Sequence, residues 1–438
     1  MKFRSSALVL LVLCIASLIF LLDGGRNALH NSCDFVPVYT GARCLLNGSN
    51  PYDTALLNQQ YFQSGGRSDE LISWAYELPM YPPSTLLALF PLALFHFPAA
   101  RMLWFLFNGC LFVTAAGLVL SICPRSHRWL ATILISFILV MSRVQLGTGQ
   151  PANFAISLLV IGFFLLFRGR YLPLGALLLT LSLAVKPQIG GLIVIYLIVR
   201  KIHWRPAMAA AAGAFALLIC ASLMISANPN NAGWTSDLHN NISTNLAVGA
   251  VNDPRPDNLW ANSSVNLQAI TSIYFADERE FNAAAYAVFL ALLAVWITAA
   301  LRTKAGPEMH LLFVAALSAL SLTPIYHRFY DTRILLITIP AIVIVYQKRR
   351  LLGTCICALT ALLIYSVSLQ GRLQSFFENH GLWQNILQNK ILFILCQRQQ
   401  CLGLPILFCL YMVAIFFIRS SQSPGDDCRI SGAALSVN

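Results

Sequence analysis

Apolar runs of a dozen to twenty residues, separated by short polar loops, recur along almost the whole chain. Each such run needs protein or lipid against its side chains, and its backbone must satisfy its own hydrogen bonds there, which helices do. Hydrophobic residues make up 58% of the 438 and charged residues only 11%. At a mean hydropathy of +0.68, a water-soluble domain would carry large exposed apolar patches. The sequence therefore predicts an all-α polytopic membrane protein.

The first run, about Ala7 to Leu22, follows the basic start Met1-Lys2-Phe3-Arg4. No small-x-small cleavage pattern comes after it, so residues 1–23 read as an uncleaved first helix with its basic end inside. Further runs lie near 84–97, 102–122, 129–142, 152–167, 171–185, 188–199, 206–226, 283–301, 309–325, 333–346, 351–369 and 403–418. Several fall short of the roughly 20 residues a bilayer needs, which points to kinked or broken helices. The expected organisation is a first span at 1–23, an external loop at 24–81, a membrane bundle at 82–226, an external loop at 227–282, a second bundle at 283–420 and a cytoplasmic tail at 421–438. The expected count is 12 or 13 spans. Either the 84–97 stretch, set off from the next by Pro98, is re-entrant, or one basic loop lies outside against the charge rule.

Charge supplies the orientation. Arg125 with Arg128, Arg168 with Arg170, Arg200 with Lys201 and Arg205, Arg302 with Lys304, and Lys348 with Arg349 and Arg350 all fall in short loops that the positive-inside rule makes cytoplasmic. Membrane lipids, not nucleic acid, are thus the expected partners of the +12 net charge. The expected location is the plasma membrane, with the polar motifs extracytoplasmic. The loops at 24–81 and 227–282, the latter with Trp234 and Trp260, hold enough aromatics to pack as a lid, and 370–402 is expected to be a third external piece lying as an interfacial helix. Most of the 12 cysteines sit in apolar runs as small hydrophobes without metal-ligand spacing. Cys33 with Cys44, and Cys396 with Cys401, fall in external loops where spacing leaves a disulfide open.

Five polar motifs interrupt this pattern. Asp34 opens Asp34-Phe35-Val36-Pro37-Val38-Tyr39, whose helix is expected to stop at Asn47-Gly48. Its carboxylate is either a base at the membrane surface or a helix cap. Tyr76-Glu77-Leu78-Pro79-Met80-Tyr81-Pro82-Pro83 starts a helix on consecutive prolines, with Tyr81 able to stack on a sugar ring. Gln150 and Asn153, in Gly149-Gln150-Pro151-Ala152-Asn153, bind sugar hydroxyls or tie helices together. Lys186, before Pro187, snorkels or pairs with an anion. The densest cluster is Thr323 to Arg333: Arg328 and Arg333 offer guanidinium donors to a phosphate, His327 a proton donor or acceptor, and Tyr330 and Asp331 substrate contacts.

In order and approximate spacing these motifs resemble glycosyltransferase family 87 of the wider GT-C membrane superfamily, over about residues 30–350. The resemblance implies a GT-C-type helical bundle with external loops carrying the site. It also implies inverting transfer of a hexose, read as mannose, from a polyprenyl-phosphate sugar donor to a glycolipid or glycan acceptor. Carried onto this chain, Asp34 matches the catalytic base and His327 the histidine of the late loop, although Arg328 directly follows it. The expected donor-phosphate ligands are Lys186, Arg328 and Arg333; the expected substrate contacts are Tyr39, Tyr81, Gln150, Asn153, Tyr330 and Asp331. A polyprenyl phosphate leaves as a stable anion, so one base and fixed cations suffice, and without an Asp-x-Asp motif no metal or other cofactor is expected. The rival readings are a secondary transporter, which would show internal repeats and midplane charges, and a polysaccharide polymerase or ligase of different fold, which would depend on Arg328 more than on Asp34.

Overall fold

The computed structural model describes residues 2–67, 78–304 and 306–420. The expected motif residues Tyr76 and Glu77 and the tail at 421–438 lie outside the described residues. Among the described residues the chain is helical, with one isolated bridge, Ser264 to Arg328, and no strand. Among the described residues seven helices are long and apolar enough to cross a membrane: Ala7–Ala28, Phe97–Ile122, Trp204–Ser226, Glu278–Arg302, Phe329–Lys348, Arg350–Asn379 and Gln399–Ser420. Four apolar helices are shorter, Pro151–Phe167, Leu172–Val185, Pro187–Val199 and Pro307–Ser321. The 84–97 stretch breaks into Pro83–Ala88 and Phe90–Ala93. At about 1.5 Å per residue neither piece is long enough to span hydrocarbon. The expected interfacial piece at 370–402 is divided: its first part continues the Arg350–Asn379 helix, and Trp383–Gln388 and Lys390–Gln397 follow.

The breaks follow from the sequence. Pro187 has no N–H and disfavours helical backbone at the residue before it, so Lys186 leaves the helix at φ −145°, ψ 82° and stands at a helix–helix junction. Gly149 takes the left-handed conformation (φ 75°) and Pro151 starts the next helix. A side chain at 149 would strike Phe35, whose Cβ lies 2.7 Å from the required position. Gly48 is left-handed (φ 66°) where the Val36–Leu46 helix was expected to stop. Small residues let helices approach closely, as where a Cβ at Gly162 would lie 3.0 Å from the Gly175 carbonyl oxygen. Phe329–Thr338 is a ten-residue 3-10 helix, far longer than that geometry usually persists, and it continues into Ile339–Lys348.

The loops sort to two ends of the bundle. Arg168 Nη2 donates to Ser121 Oγ at 3.1 Å, and Gln347 Nε2 to Ser126 Oγ at 2.9 Å. Arg200 donates to the carbonyls of Ala300 and Thr303 at 2.8 and 3.0 Å, and Lys348 pairs with Glu308 at 2.6 Å. These contacts gather the basic loops at one end. At the other, the two long loops expected as a lid are laced together by asparagine amides: Asn228 Nδ2 donates to Gly48 O at 2.7 Å, Asn50 Nδ2 to Asp237 Oδ2 at 2.6 Å, and Asn241 Nδ2 to Tyr52 O at 2.9 Å. Neither the Cys33–Cys44 nor the Cys396–Cys401 disulfide left open by the spacing is formed.

Arg349 alone joins Ile339–Lys348 to Arg350–Asn379, and Gly353 then lies against the backbone of Tyr346, where a Cβ would overlap it. Gly353→Ala is expected to cost about 1–3 kcal/mol from overpacking, read as a lower melting temperature of the purified protein in detergent; a wild-type melting temperature would contradict this turn.

Candidate active site

Asp34 follows the first helix and is fixed by its neighbours. Its amide and that of Phe35 donate to the Thr148 carbonyl at 3.0 and 3.3 Å. The buried Phe35 ring stacks on Trp104, centroids 5.4 Å apart, and Trp104 Nε1 donates to Gly149 O at 2.8 Å. The aromatic anchor thus clamps the Asp34 turn onto the Thr148–Gln150 break. Gln150 Oε1 accepts from Ala152 N at 3.4 Å, capping the next helix, and the Thr148 and Gln150 side chains hydrogen-bond the Asp34 carboxylate. Burial holds that carboxyl above its ordinary value of 3.8, opposed by the Thr148 hydrogen bond, the charges of Arg328 and Lys186, and the Gln150 hydrogen bond.

Across from Asp34, Lys186 Nζ lies 2.9 Å from Asp331 Oδ1 and 4.9 Å from the centre of the Tyr330 ring. His327 Nδ1 donates to Asp331 Oδ2 at 2.9 Å, and the Arg328 amide approaches the same oxygen at 3.4 Å. The Arg328 guanidinium donates to the Tyr326 hydroxyl and, at 3.3 Å, to Val251 O. Val265 N donates to His327 O at 3.0 Å, so the long Asn-rich loop supports the backbone of this cluster.

Asp34, Lys186, Arg328, Tyr81, Tyr330 and Asp331 all line one cavity of about 140 Å³. Six of the expected site residues therefore meet, although up to about 300 positions separate them in sequence. Gln150 reaches the site only through Asp34. Four expectations are corrected. His327 is fully buried and does not line the cavity; it touches the site through Asp331 and is a positioning residue. Arg333 points into the helix packing, donating to Met141 O at 3.0 Å and Ile364 O at 3.3 Å, because a residue two positions after Asp331 leaves the helix on the other side. Tyr39 is buried against Phe35 and Phe97 with its hydroxyl on Phe95 O at 2.7 Å. Asn153 is buried one turn inside its helix and also off the cavity.

The cavity adds Tyr326, Gln188, Asn245 and Asn252, and Thr148 joins as a partner of Asp34. Tyr326 lies within the Thr323–Arg333 cluster, and Gln188 and Thr148 flank the Lys186 and Gly149–Asn153 motifs read from the sequence. Asn245 and Asn252 both belong to the asparagine-rich 227–282 loop.

An all-helical membrane bundle with a cavity that sets a half-buried carboxylate against an ammonium and a guanidinium is the architecture of a membrane-embedded enzyme site. Residues 80–325, more than half of the chain, match the family model of glycosyltransferase family 87. The protein belongs to that family and is a membrane glycosyltransferase. Comparison with curated proteins and with solved structures gives no match. The matched segment includes Tyr81 and Lys186 but not Asp34 or Arg328; those two are joined to it by the cavity.

Asp331→Asn removes the partner of a buried ammonium, for which about 3–5 kcal/mol of destabilisation is expected. Adding Lys186→Met should recover part of that loss, because the orphaned charge goes with it. Unfolding of the single and double variants in detergent measures both, and an unchanged single variant would show that Asp331 does not hold Lys186.

Proposed function

We propose that the protein is an inverting hexosyltransferase that moves mannose from a polyprenyl-phosphate sugar to a glycolipid or glycan acceptor at the extracytoplasmic face. The observation that carries this reading is the meeting of Asp34 with Lys186 and Arg328 in one cavity. The family supplies sugar transfer; the resemblance in motifs supplies the sugar and the lipid donor. Gathering of the basic loops at the end opposite the cavity supports the extracytoplasmic side and the plasma membrane.

In this reaction Asp34 accepts the proton of the acceptor hydroxyl while its oxygen attacks the anomeric carbon. The bond from that carbon to the phosphate oxygen breaks on the opposite face, so configuration inverts. Both electrons leave with the polyprenyl phosphate, whose charge Arg328 and Lys186 stabilise. The raised pKa suits the base: a carboxylate whose pKa lies above 3.8 is a stronger proton acceptor than an exposed one. Tyr81, Tyr330 and the amides of Gln188, Asn245 and Asn252 offer ring faces and hydrogen bonds to sugar hydroxyls. A polymerase or ligase would depend on Arg328 more than on Asp34.

Asp34→Asn is expected to lower transfer from polyprenyl-phosphate mannose by at least about 10²–10⁴-fold without loss of folded protein in membranes; a fully active variant would remove the base assignment. The pH profile gives a second check. Because Asp34 works ionised, activity falls as pH drops through its raised pKa. Arg328 pulls that pKa down, so Arg328→Ala should move the acidic limb to higher pH and weaken use of donor more than of acceptor. A limb that stays put or moves down would separate Arg328 from Asp34.

A further inference from the structure

Among the described residues three that are not glycine occupy the left-handed region: Tyr171 (φ 52°), Lys201 (φ 55°) and His203 (φ 45°). All three lie in two loops that touch each other at the basic end of the bundle, where a side chain at Gly169 would stand 3.2 Å from His203 Nε2. The two loops end their helices in the same way. Gly169 N donates to Leu166 O and Arg170 N to Leu165 O; Lys201 N donates to Ile198 O and Ile202 N to Leu197 O. In this motif the left-handed position after the helix favours glycine. The first loop has Gly169 there, with φ 64°. The second has Lys201, so a strained position carries a charge where the fold alone would be better served by no side chain.

Lys201, His203 and Arg205 line an open pocket of about 470 Å³ together with Leu172, Trp204 and Pro206. Lys201, His203, Trp204 and Arg205 are exposed, and the Arg205 guanidinium lies 5.5 Å from the centre of the Trp204 ring. Neither Lys201 nor Arg205 makes an ion pair among the described residues. The helices that leave the pocket turn Leu174, Leu177, Met208 and Phe215 outward, exposed by 47% to 63%. A basic pocket with a tryptophan at its rim and bare apolar helix surface beside it suits a ligand with an anionic head and an apolar tail.

We infer that this pocket is a binding site for an anionic phospholipid, with Lys201 and Arg205 on the headgroup phosphate and the acyl chains along the outward faces of Leu172–Val185 and Trp204–Ser226. It lies at the end of the bundle away from the reaction cavity and does not rest on the proposed chemistry. Lys201 trades local strain for a cation that faces the headgroup, and the Trp204 ring holds Arg205 beside it.

The test uses the full-length protein, delipidated in detergent, and follows melting temperature and retained lipid by native mass spectrometry. The additives are phosphatidylglycerol, phosphatidylcholine and inorganic phosphate. Phosphatidylglycerol should raise the melting temperature and remain bound, with little effect from the other two. Each basic group near an anionic lipid is worth about fivefold in affinity, so Lys201→Gln with Arg205→Gln should weaken phosphatidylglycerol binding about 30-fold. Lys201→Gly separates the site from a structural role: without lipid it should melt higher than wild type, because the strain is gone, while losing about fivefold in lipid affinity. Equal stabilisation by phosphatidylcholine, an equal shift with inorganic phosphate alone, or wild-type lipid affinity in the double variant would each overturn the proposal.

Discussion

The ion pair between Lys186 and Asp331, 2.9 Å long and almost wholly out of solvent, is the contact on which the site depends. A buried pair of this kind adds little to stability relative to apolar packing, since both groups lose their water. What it does is fix geometry. Lys186 stands at the end of a broken helix in the first half of the chain and Asp331 in the 3-10 turn of the second, so the pair sets the distance between the halves and with it one wall of the cavity. His327 completes the arrangement from behind, its Nδ1 on the free oxygen of Asp331, which leaves Lys186 and Arg328 as the positive groups facing the cavity.

Asp34 is held by a separate device. Its side chain sits where the first turn after the N-terminal helix crosses the Thr148–Gln150 break, and the stack of Phe35 on Trp104 keeps the two backbones together. The carboxylate therefore keeps donors from Thr148 and Gln150 while losing most of its water, and its proton affinity rises accordingly. Asparagine does the corresponding work in the loops above, bridging Gly48, Asn50 and Tyr52 to the 228–241 segment. These amides are what the Asn-rich composition provides, a polar layer that is internally bonded and so able to sit over apolar helices.

Much of this was legible from residue order because helix breaks have local causes. Pro151 and Pro187 mark the two junctions that present Gln150 and Lys186, and Gly48 the end of the helix after Asp34. Arg333 and Tyr39 show where that reasoning stops. Both are the right residue types near the right motifs, yet one donates to backbone carbonyls of other helices and the other to Phe95 O. Which way a side chain leaves a helix depends on the turn geometry and on the neighbour that fills the space. A ten-residue 3-10 segment changes that direction without changing any residue.

The sequence by itself determined the membrane character, the positions of the breaks, the segregation of basic loops from polar motifs, and the family through its ordered motifs, because hydropathy, proline and glycine act within a few residues of themselves. Only the tertiary structure decided which of the polar residues share a cavity. It brought Asp34 to Lys186 and Arg328, left His327 behind Asp331, and chose Asn245 and Asn252 among the many asparagines of the 227–282 loop. Those choices turn on how helices far apart in the chain pack against one another, and that packing is settled by shape and buried polar pairing across the whole bundle.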